Sequence, residues 1–259
     1  MATFKIYPIY LGITSEDVSF VIGKHHPGQD WPLTVGCFLL QNNETKKWTL
    51  LDTGYAPKEE VIKNNLPHTW ILGMEKAMLL EEGLATVGVK IEDIDCVAIS
   101  HLHQDHAWNL ERFREDIPIH VQQKELAHAI TCRNVERKSY GMYKMDPTLA
   151  PGYPHWIRRK SQFVMHDGDY EIEPGLRAIF TPGHTPGSQS FLIDTEEGLY
   201  CYVGDEYYTE QNWQEEEGHI LGWFNSMEDW YHSHDKIMAT GAKILSVHCP
   251  STFDRKVIG

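Results

Sequence analysis

The stretch SHLHQDHAWN, Ser100 to Asn109, places three imidazoles and a carboxylate within six positions, directly after the apolar run Cys96 to Ile99. That short run reads as a buried strand. His101 and His103 are two apart, so on extended chain both side chains leave one face and can close on a single ion. Asp105 and His106 follow where the pattern predicts a helix over 106–113, and they point toward a neighbouring position. An isolated His-x-His is unremarkable in a chain with 15 histidines among 259 residues, but the complete spacing suggests a site for two metals.

Two more histidines sit in turn-like contexts just after strand-like runs. TPGHTPGS, Thr181 to Ser188, brackets His184 with proline and glycine, and SVHCPS places His248 in the same way. Asp205 closes the run Tyr200 to Gly204. Polar residues at strand ends can converge on one rim of a sandwich. Seven candidate ligands then form two sets: His101, His103 and His184 for one ion, and Asp105, His106 and His248 for the other. Asp205, with two carboxylate oxygens, is suited to bridge them. Imidazole and carboxylate donors fit Zn²⁺ best, with Mn, Fe or Co as alternatives.

Outward from this site, strands are predicted at Phe4 to Leu11, Val18 to Ile22, Val35 to Gln41 and Trp48 to Asp52, followed by a helical pattern from Gly73 to Val87. The second half repeats the order, with strands at Leu176 to Thr181, Gln189 to Asp194 and Leu199 to Val203. A helix from Met227 to Thr240 then leads into a strand from Lys243 to Val247. Two β-then-α halves imply an α/β fold, an αββα sandwich of two sheets with helices on the outer faces. The expectation is a single domain over 1–259 carrying a basic insert at 132–162, where seven Arg and Lys residues face only Glu136 and Asp146. The insert reads as a solvated excursion, a lid or a subunit contact, the last of which would serve a homodimer.

Acidic residues outnumber basic ones, 37 against 23, for a net charge of −14. Such an excess repels a phosphate backbone, which argues against nucleic acid as a partner. No stretch approaches the roughly 20 apolar residues of a membrane span, and Lys5 and Pro8 interrupt the start, so the expectation is a cytoplasmic protein. The five cysteines are scattered, without a C-x-x-C pair, and read as reduced, mostly buried thiols. Cys249, beside His248, is a candidate to support the metal site.

With these motifs in view, the chain resembles the metallo-β-lactamase-fold superfamily, whose signature is His-x-His-x-Asp-His followed by a separate His, an Asp and a final His. Within it the sequence is most similar to the N-acyl-homoserine lactonase family. LLDTG at 50–54 and SHLHQDHA at 100–107 are common to the superfamily; DGDYEIEPGL at 167–176, TPGHTPGSQS at 181–190 and GDEYYT at 204–209 are together more specific to lactonases. The resemblance implies that Tyr208 points into the site and helps bind the substrate carbonyl. It implies that Asp52 sits close to the metals without being a ligand. Departures are Trp108 where lactonases usually have glycine, Gln104 where they often carry an aromatic, and Cys249 where Asp commonly follows the last His. Trp108 either narrows the pocket or packs on its helix; Trp31 and the aromatics of 206–231 are further candidates for a pocket wall.

Two divalent ions roughly 3.5 to 4 Å apart share a water and lower its pKa from about 15.7 toward 7, which supplies hydroxide at neutral pH. The implied reaction is opening of a lactone ring by that bridging hydroxide, with Tyr208 on the carbonyl oxygen and Asp105 carrying the proton to the leaving alkoxide. No G-x-S-x-G elbow competes for the role of nucleophile. The alternatives are a glyoxalase II-like thioester hydrolase, a β-lactam hydrolase, a one-iron sulfur dioxygenase, or a metal-stapled binding protein without turnover. A flavodiiron enzyme is disfavoured, because that class places Glu where His103 stands.

Overall fold

The computed structural model of the protein describes residues 2–23, 25–56, 77–133, 136, 139–140, 155–214 and 219–259. Among these, the chain pairs β1 (Phe4–Asp17), β2 (Asp30–Asn42), β3 (Trp48–Leu51), β4 (Cys96–Ala98), β5 (Ile119–Gln122) and β6 (Phe163–His166) into one sheet in that order. The first three strands are antiparallel and the rest parallel. A second sheet runs β11 (Lys243–Leu245), β10 (Gly198–Tyr202), β9 (Gln189–Thr195), β8 (Leu176–Phe180) and β7 (Tyr170–Glu173), antiparallel except where β11 joins β10.

Alternation along the strands explains the layers. Phe38 and Leu40 of β2 point inward to meet Phe191 and Ile193 of β9 and Tyr200 and Tyr202 of β10, forming the core between the sheets. Their neighbours Cys37 and Leu39 point the other way and pack with Leu80 and Leu84 of helix α2 (Leu80–Ala85). On the far side Leu192 and Cys201 are covered by Trp230 and Ile237 of helix α5 (Met227–Met238). Both faces of each sheet are thus buried, which is why central strands read as continuous apolar runs. The result is the αββα sandwich expected from the sequence.

Several elements differ from their sequence reading. The predicted strand at 18–22 is instead a short helix, α1 (Val18–Val21), because the Asp17 carboxylate caps it by accepting from the Ser19 amide at 2.9 Å. The helix predicted over 106–113 begins two residues earlier as α3 (Gln104–Ala107) and tightens into a 3₁₀ turn at Trp108–Arg112. Strands β5, β6 and β7 and helix α4 (Gln123–Thr131) are additional. Of the helix predicted over 73–87, residues 73–76 lie outside the described residues. So does most of the basic insert; within its described part, Arg158 pairs with Glu111 at 3.8 Å and Arg159 with Glu115 at 3.4 Å.

Helix α4 sits directly on the loop that carries His184. A Cβ on Gly187 would lie 2.1 Å from the Glu125 amide nitrogen and 2.3 Å from its Cα, and backbone cannot yield as a flexible side chain can. Gly187→Ala is therefore expected to force loop and helix apart at a cost of about 1–3 kcal/mol. A lowered urea midpoint with an unchanged m-value checks this; an unaltered midpoint would show that the contact is not so tight.

Candidate metal centre

The seven candidate ligands all follow strand ends on one rim. His101 and His103 leave the end of β4, Asp105 and His106 ride on α3, His184 lies in the loop after β8, Asp205 in the turn after β10 and His248 after β11. The structure brings them into two groups whose donor atoms lie within 4.8 Å of one another: His101, His103, His184 and Asp205, and Asp105, His106, His248 and Asp205. Asp205 belongs to both because its oxygens diverge. Oδ2 lies 3.3 Å from His184 Nε2 and 3.7 Å from His101 Nε2, whereas Oδ1 lies 3.0 Å from His106 Nε2 and 3.1 Å from His248 Nε2. Asp105 Oδ2 stands 3.7 Å from both His106 Nε2 and His248 Nε2.

Each ring is aimed from behind. The Nδ1–H of His248 donates to the Thr34 carbonyl at 2.8 Å, and that of His184 to the Trp223 carbonyl at 3.3 Å. A carbonyl only accepts, so both rings must carry the proton on Nδ1 and turn the Nε2 lone pair inward. His106 Nδ1 lies 2.7 Å from Asp52 Oδ2. Asp52 is itself held by the Ser100 amide and hydroxyl, each at 2.6 Å, and by the Tyr202 hydroxyl. It adopts a left-handed backbone, φ 60°, that a non-glycine residue seldom takes, and these hydrogen bonds fix it there.

A buried carboxylate also joins the loops. Glu125 of α4 accepts from the Leu102 amide at 2.9 Å, between His101 and His103, and from the Thr185 hydroxyl at 2.7 Å, next to His184. Sequence reading passed over Glu125 because α4 was not recognised. Ser100 lay inside the quoted motif, and Tyr202 was legible only as an inward strand position.

Burial pushes His101, His103 and His184 below the ordinary imidazole range, so they are neutral and their lone pairs are available. Burial would also lower His106 and His248, but Asp205 and Asp105 outweigh it and carry both upward. Asp205, against the effect of its own burial, is held well below the usual carboxylate range by the surrounding imidazoles. The fit to metal shows in the inner atoms. His101 Nε2, His106 Nε2 and Asp205 Oδ1 are buried and make no hydrogen bond, although His106 Nε2 and Asp205 Oδ1 are only 3.0 Å apart. Atoms that converge so closely without hydrogen-bond geometry are arranged for a shared cation rather than for one another.

The centre opens into a cleft of about 640 Å³ that includes its open mouth, walled by Glu16, Phe20, Leu33, Val35, Tyr208 and Trp223. The Tyr208 ring lies 4.9 Å from that of His248 and 6.1 Å from that of His184, between the two ligand groups. Burial, then the negative charge of Asp205 and Asp105, raises its phenol, which keeps its proton at neutral pH. Gln104 lines the cleft, but Trp108 does not: it stacks on Tyr55 at 5.7 Å. Trp31 lies opposite Glu16 on β2 and packs beside Leu33 and Tyr208, next to the cleft rather than in its lining. Trp223 lines the cleft and is part-exposed, whereas Phe224, also part-exposed, does not line it. Cys249 is buried with its thiol 3.2 Å from the Ser251 hydroxyl, and it belongs to neither donor group.

Comparison with known proteins agrees with this geometry. The family model described as Metallo-beta-lactamase superfamily matches residues 31–245. An N-acyl homoserine lactonase of Bacillus cereus is 33% identical over 223 residues, 83% of this chain and 81% of that protein. The N-acyl homoserine lactonase AttM of Azorhizobium caulinodans is 28% identical over 98% of this chain and 96% of its own. A solved N-acyl homoserine lactone hydrolase, with the product N-hexanoyl-L-homoserine at its catalytic metal center, superposes with a TM-score of 0.75. It is 27% identical and covers 98% of this chain and 96% of its own. With histidines and aspartates gathered at its strand ends, its sandwich and these relatives, the chain belongs to the metallo-beta-lactamase superfamily and, within it, to the N-acyl homoserine lactonase family.

Proposed function

We propose that the protein is a dinuclear metal-dependent hydrolase that opens the ring of N-acyl-homoserine lactones or closely related lactones, and so quenches signals carried by them. The observation that carries this reading is the divergence of Asp205: one oxygen faces His101 and His184, the other His106 and His248. On this reading His101, His103 and His184 would hold one cation and Asp105, His106 and His248 the second, with Asp205 shared by the two groups and Zn²⁺ the best match to the donors. Such a pair of cations supplies a water of lowered pKa and polarises a carbonyl.

The protein's own residues supply the rest. Hydrolysis adds water across the ring ester: the carbonyl carbon gains a hydroxyl, the endocyclic C–O bond breaks, and a proton ends on the ring oxygen. Tyr208 keeps its proton and is placed to donate to the carbonyl oxygen as negative charge gathers there. Asp105, the most exposed carboxylate of the group at 15%, is placed to hand a proton to the departing alkoxide. The apolar walls from Leu33, Val35 and Phe20 exclude bulk water and strengthen these interactions.

Zinc-loaded protein is expected to contain about two ions per chain and to prefer homoserine lactones in a panel with simple lactones, glutathione thioesters and β-lactams. A thioester preferred by orders of magnitude, or a single iron per chain, would overturn the reading. Chelation should abolish hydrolysis while far-ultraviolet circular dichroism still reports a folded chain; a protein that unfolds and never hydrolyses is a scaffold instead. Tyr208→Phe should lower kcat roughly 100-fold with metal content retained, as expected for loss of one oxyanion donor. A kcat equal to that of the parent would remove Tyr208 from the chemistry.

A further inference from the structure

The cleft contains a charged group that lactone hydrolysis does not use. Thr14 and Glu16, two apart on β1, both face it. The Glu16 carboxylate is half-buried, and its one polar contact among the described residues is the amide of its neighbour Asp17. Among the described residues no lysine or arginine lines the cleft to neutralise it. Burial accordingly raises its carboxyl above the ordinary range, a sign of lost hydration that a ligand would restore.

The same cleft also has an aromatic wall. Phe20 stacks over Tyr208 at 5.9 Å and meets Trp223 edge-on at 5.6 Å, and all three rings line the same cleft. Aromatic faces attract cations through the ring quadrupole, and together with a carboxylate they form the usual surroundings of a bound ammonium group. A plain alkyl chain would gain from the rings but would leave the carboxylate desolvated without a partner.

Strand register sets how far this subsite lies from the chemistry. Ile13 pairs with Thr34, whose carbonyl holds His248, and Glu16 lies three residues further along β1. At about 3.4 Å per residue the offset is roughly 10 Å, the reach of an extended acyl arm of six or seven atoms. Resting on the lactonase reading above, we infer that Glu16, Phe20 and Trp223 form a cation subsite, and that the protein is built for lactones whose acyl arm ends in an ammonium group. Glu16 is then a specificity-determining residue, and Gln104, polar where the family often has an aromatic, suits the same kind of arm.

The test compares two isosteric substrates, N-(6-aminohexanoyl)- and N-heptanoyl-homoserine lactone, on the zinc-loaded protein and on Glu16→Gln. The ratio of their kcat/KM values is the readout, so any loss of folded or metal-loaded protein cancels within each variant. The parent is expected to favour the amino arm at least 10-fold, and Glu16→Gln to bring the ratio close to one. A parent ratio of one or below, or a ratio unchanged in the variant, overturns the inference while the lactonase reading stands. If neither lactone is opened, the lactonase reading fails, and the subsite is judged by calorimetric titration with 6-aminohexanamide against heptanamide. At least 10-fold tighter binding of the amine, lost in Glu16→Gln, supports the subsite; equal binding of the two amides ends it.

Discussion

The site depends on one buried carboxylate shared among four imidazoles. Asp205 is 3% exposed, and its charge is tolerable at that depth only because His184 and His101 approach one oxygen and His106 and His248 the other. The imidazoles in turn would crowd one another without it. His101 and His106 stand 4.2 Å apart by ring centroid, and His103 Nδ1 and His184 Nε2 are 3.0 Å apart. Holding so many polar atoms together in a dry interior calls for a rigid frame and a counter-charge, and the αββα sandwich provides the frame.

The frame works through hydrogen bonds that face away from the centre. Backbone carbonyls orient His184 and His248, Asp52 orients His106, and Glu125 fastens the two loops that carry His101, His103 and His184. These supports come from opposite sheets: Asp52 follows β3, whereas the Tyr202 hydroxyl that bonds it belongs to β10. Packing between the sheets and the geometry of the centre are therefore one problem. A shift of either sheet would misalign Asp52, and with it His106.

Much of this was legible in the sequence because the segments that carry the candidate ligands are local. The 101–106 spacing, the bracketed His184 and the strand-end positions of Asp205 and His248 need only short-range rules, and the apolar runs of β2, β9 and β10 declare two-sided burial. What escaped depends on distant partners. Helix α4 has a polar face and no strong start signal, so Glu125 looked like an ordinary surface acid. Strands β6 and β7 are short and only partly buried; β6 exposes Val164 and Met165, and β7 alternates glutamates with Tyr170 and Ile172. Val18–Val21 has the composition of a strand, and only the Asp17 cap turns it into a helix. Which way the indoles of Trp31 and Trp108 point is decided by packing, and neither lines the cleft: Trp108 stacks on Tyr55.

The prop behind His248 is a peptide carbonyl, that of Thr34, rather than a side chain. Main-chain acceptors survive almost any replacement, so Leu33 and Val35, the residues on either side, can change and re-line the cleft without turning the His248 ring. The lining of the cleft and the orientation of His248 are thereby mutationally uncoupled on this strand. Lineages that inherit such a scaffold can diversify in what they accept while the reactive centre stays intact.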